Sequence, residues 1–214
     1  MTDGATPGYG SATFLPLFAS PLVSYILPNP AALNDALRES ILAHEGVSEG
    51  RARSNAGGWH SEPGQLEFCG EAGRTLVRHM YGMADEATRR VLAEIGQSTR
   101  PLRWSLRAWV NVNRNGDYNR VHTHAGATWS GTYYVDSGMS PDDPAASAPI
   151  LLFDPCQGHA NTFLQPMMPL AFPVRPQPGL MILFPSYVPH MVDVHQGPRP
   201  RISIAFNLRK EPYP

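Results

Sequence analysis

His122-Thr123-His124, read together with His190 and Arg201-Ile202-Ser203 further along, is the part of this 214-residue chain that decides its fold. Side chains alternate along an extended segment, so two histidines one residue apart point to the same side and their ring nitrogens can converge on one ion. His190 falls in another strand-like stretch and Arg201 follows it by eleven residues. The order reads as a metal site with an anion clamp beside it. Such a site needs strands from distant parts of the chain to meet at one mouth.

The surrounding pattern agrees. After Pro101 the apolar residues recur with period two. Strands are expected over Trp104–Asn113, Thr128–Val135, Ile150–Asp154, Leu180–Phe184, Met191–Val194 and Arg201–Asn207, with a turn at Gly116-Asp117. Before Pro101 the pattern is helical. Asn29 is placed to cap a helix begun by Pro30, with Leu33, Leu37, Ile41 and Leu42 as its apolar stripe and Gly46 as its end. Leu66 to Ile95 forms a second helical stretch, which Gly82 is expected to interrupt. Phe14 to Leu27 is apolar and β-leaning. The fold class expected is α+β: a double-stranded β-helix, or jelly roll, with N-terminal supporting helices bracing one sheet from outside. The chain reads as one domain, 1–214, with a flexible tail over 1–12, mainly helical support over 13–100 and the jelly-roll core over 101–214.

Composition narrows the function. A net charge of −1 and only 16% charged residues give no basic excess, so general nucleic-acid binding is not expected. Pro (22) and Gly (19) make up about a fifth of the chain and favour short strands over a helical bundle. Two cysteines, Cys69 and Cys156, build neither a disulfide framework nor a Cys-rich zinc module. No apolar run approaches a membrane span and the N-terminus lacks a signal-peptide pattern, so a soluble, cytoplasmic protein is expected. An open sheet edge leaves room for a homodimer.

A redox-active iron needs about three protein ligands on one face and open positions opposite. His122, His124 and His190 are the expected metal ligands. Asp154, at the end of a strand, is an alternative third ligand, as is a two-histidine site completed by water. His195 competes with His190 but stands in a turn. Arg201 alternates with the apolar Ile202, Ile204 and Phe206, so it points the other way, into the barrel, where a lone guanidinium needs an anion. Its plainer reading is a surface pair with Asp193. Trp109, Asn111 and Asn113 either line the cavity or form plain sheet surface. The loop Ser54–Ser61, with Gly57-Gly58-Trp59-His60, either touches the substrate or is simply packed.

Trp109 to Asn207 resembles the 2-oxoglutarate/Fe(II)-dependent oxygenase superfamily. The likeness is closer to a family of uncharacterised bacterial and phage oxygenases that share three patterns, found here as Asn119 to His124, Ser130 to Tyr134 and Phe184 to His190. The resemblance implies Fe(II) and 2-oxoglutarate as cofactors. It implies Arg201, Ser203 and Tyr134 as the grip on the far carboxylate of 2-oxoglutarate. The activity it implies is oxidation of a small-molecule or peptide substrate with decarboxylation of 2-oxoglutarate to succinate. One departure stands out: His124 occupies the place where the superfamily usually has a carboxylate. Three neutral histidines leave the site about one charge more positive, which favours a dianionic ligand. The residues alone also admit a three-histidine zinc hydratase or hydrolase, or a metal-binding jelly roll without catalysis.

Overall fold

The computed structural model describes residues 19–98, 101–139, 147–156 and 170–212. The tail over 1–12 lies outside the described residues. Two helices, α1 (Ala31–Glu45) and α2 (Gly70–Glu94), accompany eleven strands among the described residues: β1 (Val23–Ile26), β2 (Asn55–Ala56), β3 (Trp59–His60), β4 (Trp104–Asn113), β5 (Tyr118–His122), β6 (Trp129–Asp136), β7 (Ile150–Phe153), β8 (Ala171–Val174), β9 (Leu180–Pro185), β10 (His190–Val192) and β11 (Arg201–Lys210). All pair antiparallel, in two sheets. The larger has the order β1-β9-β6-β11-β4-β3 and the smaller β2-β5-β10-β7-β8. This is the expected jelly roll. The segment before Pro101 supplies the helices and also three short strands.

The large sheet is covered on both faces, and its strands show why. On β9, Met181 and Leu183 join the cluster under the helices, while Leu180, Ile182 and Phe184 join a second cluster with Ile150 and Leu152 of the small sheet. A strand buried on both faces reads as a continuous apolar run, as Leu180–Phe184 does. β4 and β11 divide differently. Val110, Val112, Ile202, Ile204, Phe206 and Leu208 pack beneath the helices. Of the alternate positions, Trp109, Asn111, Arg201 and Ser203 line the cavity between the sheets, and Arg107 and Asn207 line its outer opening.

Three aromatic tips pin the helices to this sheet. Tyr133 donates to Asn34 Oδ1 of α1 (2.6 Å), Trp129 to Thr88 of α2 (2.9 Å) and Trp104 to Asp85 of α2 (2.7 Å). Large rings thus bury their bodies while their polar ends stay satisfied.

Three local expectations are corrected. Asn29 does not cap α1: it adopts a left-handed conformation (φ 50°), and Pro30 takes the cap position without a side-chain hydrogen bond. Gly82 does not interrupt α2, which runs unbroken from Gly70 to Glu94. A mid-helix glycine costs roughly 1 kcal/mol, and the buried stripe Leu76, Val77, Met80, Met83, Ala84 and Ala87 outweighs it. The aperiodic Ser54–Ser61 stretch is not loop throughout. β2 pairs with β5 and β3 with β4, so this segment bridges the two sheets. No helix among the described residues is long and apolar enough to cross a membrane.

Replacing Tyr133 with Phe leaves the buried Asn34 oxygen without its donor. A loss of about 1–3 kcal/mol in urea unfolding is expected, with iron content unchanged, because the pair lies on the helix side of the sheet.

Candidate metal and anion site

His190 and His122 are direct partners across the β10–β5 pair, which brings their side chains to cross-strand contact distance. A register shift in this pairing, between His190 and Val192, lies beside the site. β5 ends at His122. His124 is held beyond it, where its backbone N–H donates to Ser186 O (3.1 Å). Ser186 also donates through Oγ to Ala127 O (2.6 Å). The serine of the Phe184–His190 pattern therefore anchors the segment that carries His124. The three ring centroids lie 4.4 to 5.0 Å apart. One ligand atom from each ring falls within 4.8 Å of the others, and among the described residues no other group of His, Cys, Asp or Glu gathers in this way.

The ring chemistry suits a cation. His122 Nδ1 lies 2.7 Å from Arg120 O and His190 Nδ1 lies 3.0 Å from Val188 O. A carbonyl only accepts, so each Nδ1 carries the proton and each Nε2 presents a lone pair. Burial lowers the pKa of all three rings. His124 falls to about 3 and His190 to about 4, with the neighbouring histidines adding to the burial effect. Three neutral imidazoles with converging lone pairs fit a divalent transition metal. Asp154 is outside this group; its Oδ1 accepts the Cys156 N–H (2.9 Å). His195 is also outside it, with Nε2 2.8 Å from Arg199 O.

Arg201 is only 1% exposed. Its Nε donates to Ala148 O (3.2 Å) and one Nη to Ser203 Oγ (3.0 Å), and its guanidinium lies over the Tyr134 ring at 5.1 Å. No carboxylate among the described residues pairs with it, and Asp193 Oδ1 accepts the Val194 N–H instead. The pairing explains the grouping. Between Ile202 and Ser203 the β11–β6 register shifts, and Ser203 comes opposite Tyr134. The Tyr134 hydroxyl is buried and faces the Arg201 guanidinium without a well-formed hydrogen bond, and burial raises its pKa to about 12 against the opposing pull of Arg201. Asn111 Oδ1 is buried and unpartnered. The three histidines, Arg201 and Ser203 line one narrow cavity, together with Trp109, Asn111, Asn119 and Thr132.

Trp109 and Asn111 are thus cavity walls, and Asn113 is buried behind them, donating to Asn119 (3.5 Å). Trp59 is not a substrate contact: it is 8% exposed, belongs to the core under the helices and donates to Ser48 O (3.0 Å). Ser54 and His60, on the same segment, do face the site's outer opening. Alternation along β4 and the Asn119–His124 pattern carried a signal for Asn111 and Asn119. Ser54 opens the loop that the sequence offered as a substrate contact, and Thr132 lies within the Ser130–Tyr134 pattern, though neither is singled out by itself.

Residues 107–207 match a family model described as "Putative 2OG-Fe(II) oxygenase". This segment, which carries the three histidines and Arg201, resembles the 2OG-Fe(II) oxygenase family. The family supplies the cofactors, Fe(II) and 2-oxoglutarate, and the reaction class. A Pseudomonas putida prolyl-4-hydroxylase is similar in structure (TM-score 0.57, 21% identity, 92% of this chain and 96% of that one). So is a Trichoplax adhaerens prolyl hydroxylase solved with a hypoxia inducible factor peptide fragment (0.59, 14%, 88% and 83%). HygX from Streptomyces hygroscopicus, solved with nickel and 2-oxoglutarate, is a third (0.52, 13%, 89% and 82%). At these identities the likeness is one of fold. No curated protein matches the chain.

Removing the histidines one at a time tests the ligand set. His122→Ala and His190→Ala are expected to drop iron from about one per chain to near zero, measured after desalting. Full retention in His124→Ala would point to a two-histidine site. Acid gives a second check. In the metal-free protein the depressed pKa values mean that the unfolded chain, with histidines near 6.5, binds more protons than the fold between about pH 6.5 and pH 4. Its melting temperature should fall as pH is lowered through that window, and fall less in His124→Gln.

Proposed function

We propose that His122, His124 and His190 hold Fe(II), and that Arg201, Ser203 and Tyr134 grip the far carboxylate of 2-oxoglutarate. The enzyme then oxidises, by hydroxylation, a C–H bond of its substrate. The observation that carries this reading is the unmatched polarity beside the histidines. A buried guanidinium without a carboxylate and a buried phenol without a well-formed hydrogen bond are each costly, and one carboxylate satisfies both. When bound, Fe(II) and 2-oxoglutarate supply oxygen activation, with succinate and CO2 as co-products. The chain's own part is positional. Arg201 and Ser203 fix one end of the co-substrate, the histidines fix the metal, and the walls of Trp109 and Phe184 restrict water. A third neutral histidine in place of a carboxylate leaves more positive charge for the dianionic co-substrate to neutralise. A zinc hydratase would give Arg201 nothing to hold. Cys69 and Cys156 are both unpaired, the latter exposed, which suits a reducing compartment such as the cytoplasm.

The test is a titration of 2-oxoglutarate into the anaerobic Fe(II) protein, followed by the metal-to-ligand charge-transfer band. Charge-assisted hydrogen bonds of about 1.5–3 kcal/mol predict that Arg201→Ala weakens binding by a factor of about 10–150. Arg201→Lys should be intermediate, since lysine keeps the charge and loses the fork. Wild-type protein without the band at millimolar 2-oxoglutarate would overturn the reading. An unaffected Arg201→Ala variant would move the clamp elsewhere.

A further inference from the structure

Outside the narrow cavity lies a wider trough of about 800 Å3, which shares His122, His124, Trp109 and Ser54 with it. The trough leads from solvent to the metal ligands, so it is where a substrate would lie. Three of its lining residues are Arg53, Arg107 and Arg120, all exposed. None of their guanidiniums makes an ion pair or hydrogen bond among the described residues, and no Asp or Glu lines the trough.

Many arginines elsewhere on this surface are paired. Arg74 and Arg78 pair with Glu71, Arg89 and Arg90 with Glu86, and Arg114 with Glu45. In a chain of net charge −1, three unneutralised cations around one opening form a local field that attracts anions. The floor is aromatic. The half-buried Trp109 stacks on His60 (5.7 Å, 11° between planes) and meets the His124 ring edge-on at 5.4 Å. A substrate body lying on Trp109 is therefore beside a metal ligand.

We propose that this trough binds a small molecule carrying a phosphate or carboxylate group, held by Arg53, Arg107 and Arg120, with its uncharged body against Trp109. The proposal rests on the oxygenase reading of the inner site and names its substrate class. The volume is that of a small-molecule site, and the guanidinium fork matches either oxyanion.

Three probes test it on the anaerobic Fe(II) enzyme with 2-oxoglutarate at saturation, so that Arg201 is occupied: 1-naphthyl phosphate, 1-naphthoate and uncharged 1-naphthol, each followed by calorimetry. At least one charged probe is expected to bind tenfold or more tightly than the naphthol, a difference of ~1.4 kcal/mol or more. Which one binds tighter distinguishes phosphate from carboxylate. The preference should shrink in added salt and collapse to about twofold or less, under ~0.5 kcal/mol, in the triple variant Arg53→Gln/Arg107→Gln/Arg120→Gln. Equal binding of all three probes by the wild type overturns the proposal, as does a charge preference that survives the triple substitution. The charge-transfer band is recorded on the same samples. A wild type without the band ends the oxygenase reading. A wild type with the band and no charge preference ends only the proposal about the trough.

Discussion

Side-chain alternation in the large sheet is the constraint on which the rest depends. Successive residues of β4 and β11 must face opposite ways, so one strand serves two environments at once. Val110, Val112, Ile202 and Ile204 bury beneath the helices, while their neighbours Asn111, Arg201 and Ser203 line the cavity. A one-residue slip of either strand would exchange the two sets. Register, core and site are thus specified together, and the helices that seal the apolar face hold the polar face in position.

Electrostatics divides the cavity into two zones. Around the histidines, burial favours neutral rings, which leaves lone pairs for a cation. A few residues away, a buried arginine stays cationic because guanidinium does not deprotonate in proteins. One zone offers electron pairs and the other offers charge and donors, and a ligand that chelates a metal at one end and carries a carboxylate at the other satisfies both. No carboxylate joins the three histidines among the described residues, so a cation held there would keep its full charge for an anionic ligand to offset.

The places where local reading and structure diverge have tertiary causes. Gly82 looks like a helix breaker, yet α2 is held along its length by packing against the sheet. Trp59, flanked by glycines, looks like an exposed contact. Pairing of Trp59 with Val112 turns it into the core instead. The same pairing leaves His60 to stack on Trp109, so a neighbour of the expected residue reaches the opening. Asn29 has the composition of a helix cap but sits one residue ahead of the cap position, Pro30, in a left-handed conformation.

Periodicity along the chain made the jelly-roll class and the direction of Arg201 legible, because local backbone geometry enforces side-chain alternation. The His122, His124 and His190 pattern named the candidate ligands, but His124 lies beyond the end of β5 and is placed by its backbone bond to Ser186. Tertiary structure alone decided which residues meet. His190 stands opposite His122 through the β10–β5 register, and Ser203 comes level with Tyr134 through a shift in the β11–β6 register. Arg53, Arg107 and Arg120, from three separate segments, surround one opening. Strand pairing between distant segments is set by which faces can be buried together, and that is a property of the whole packed chain rather than of any one stretch of it.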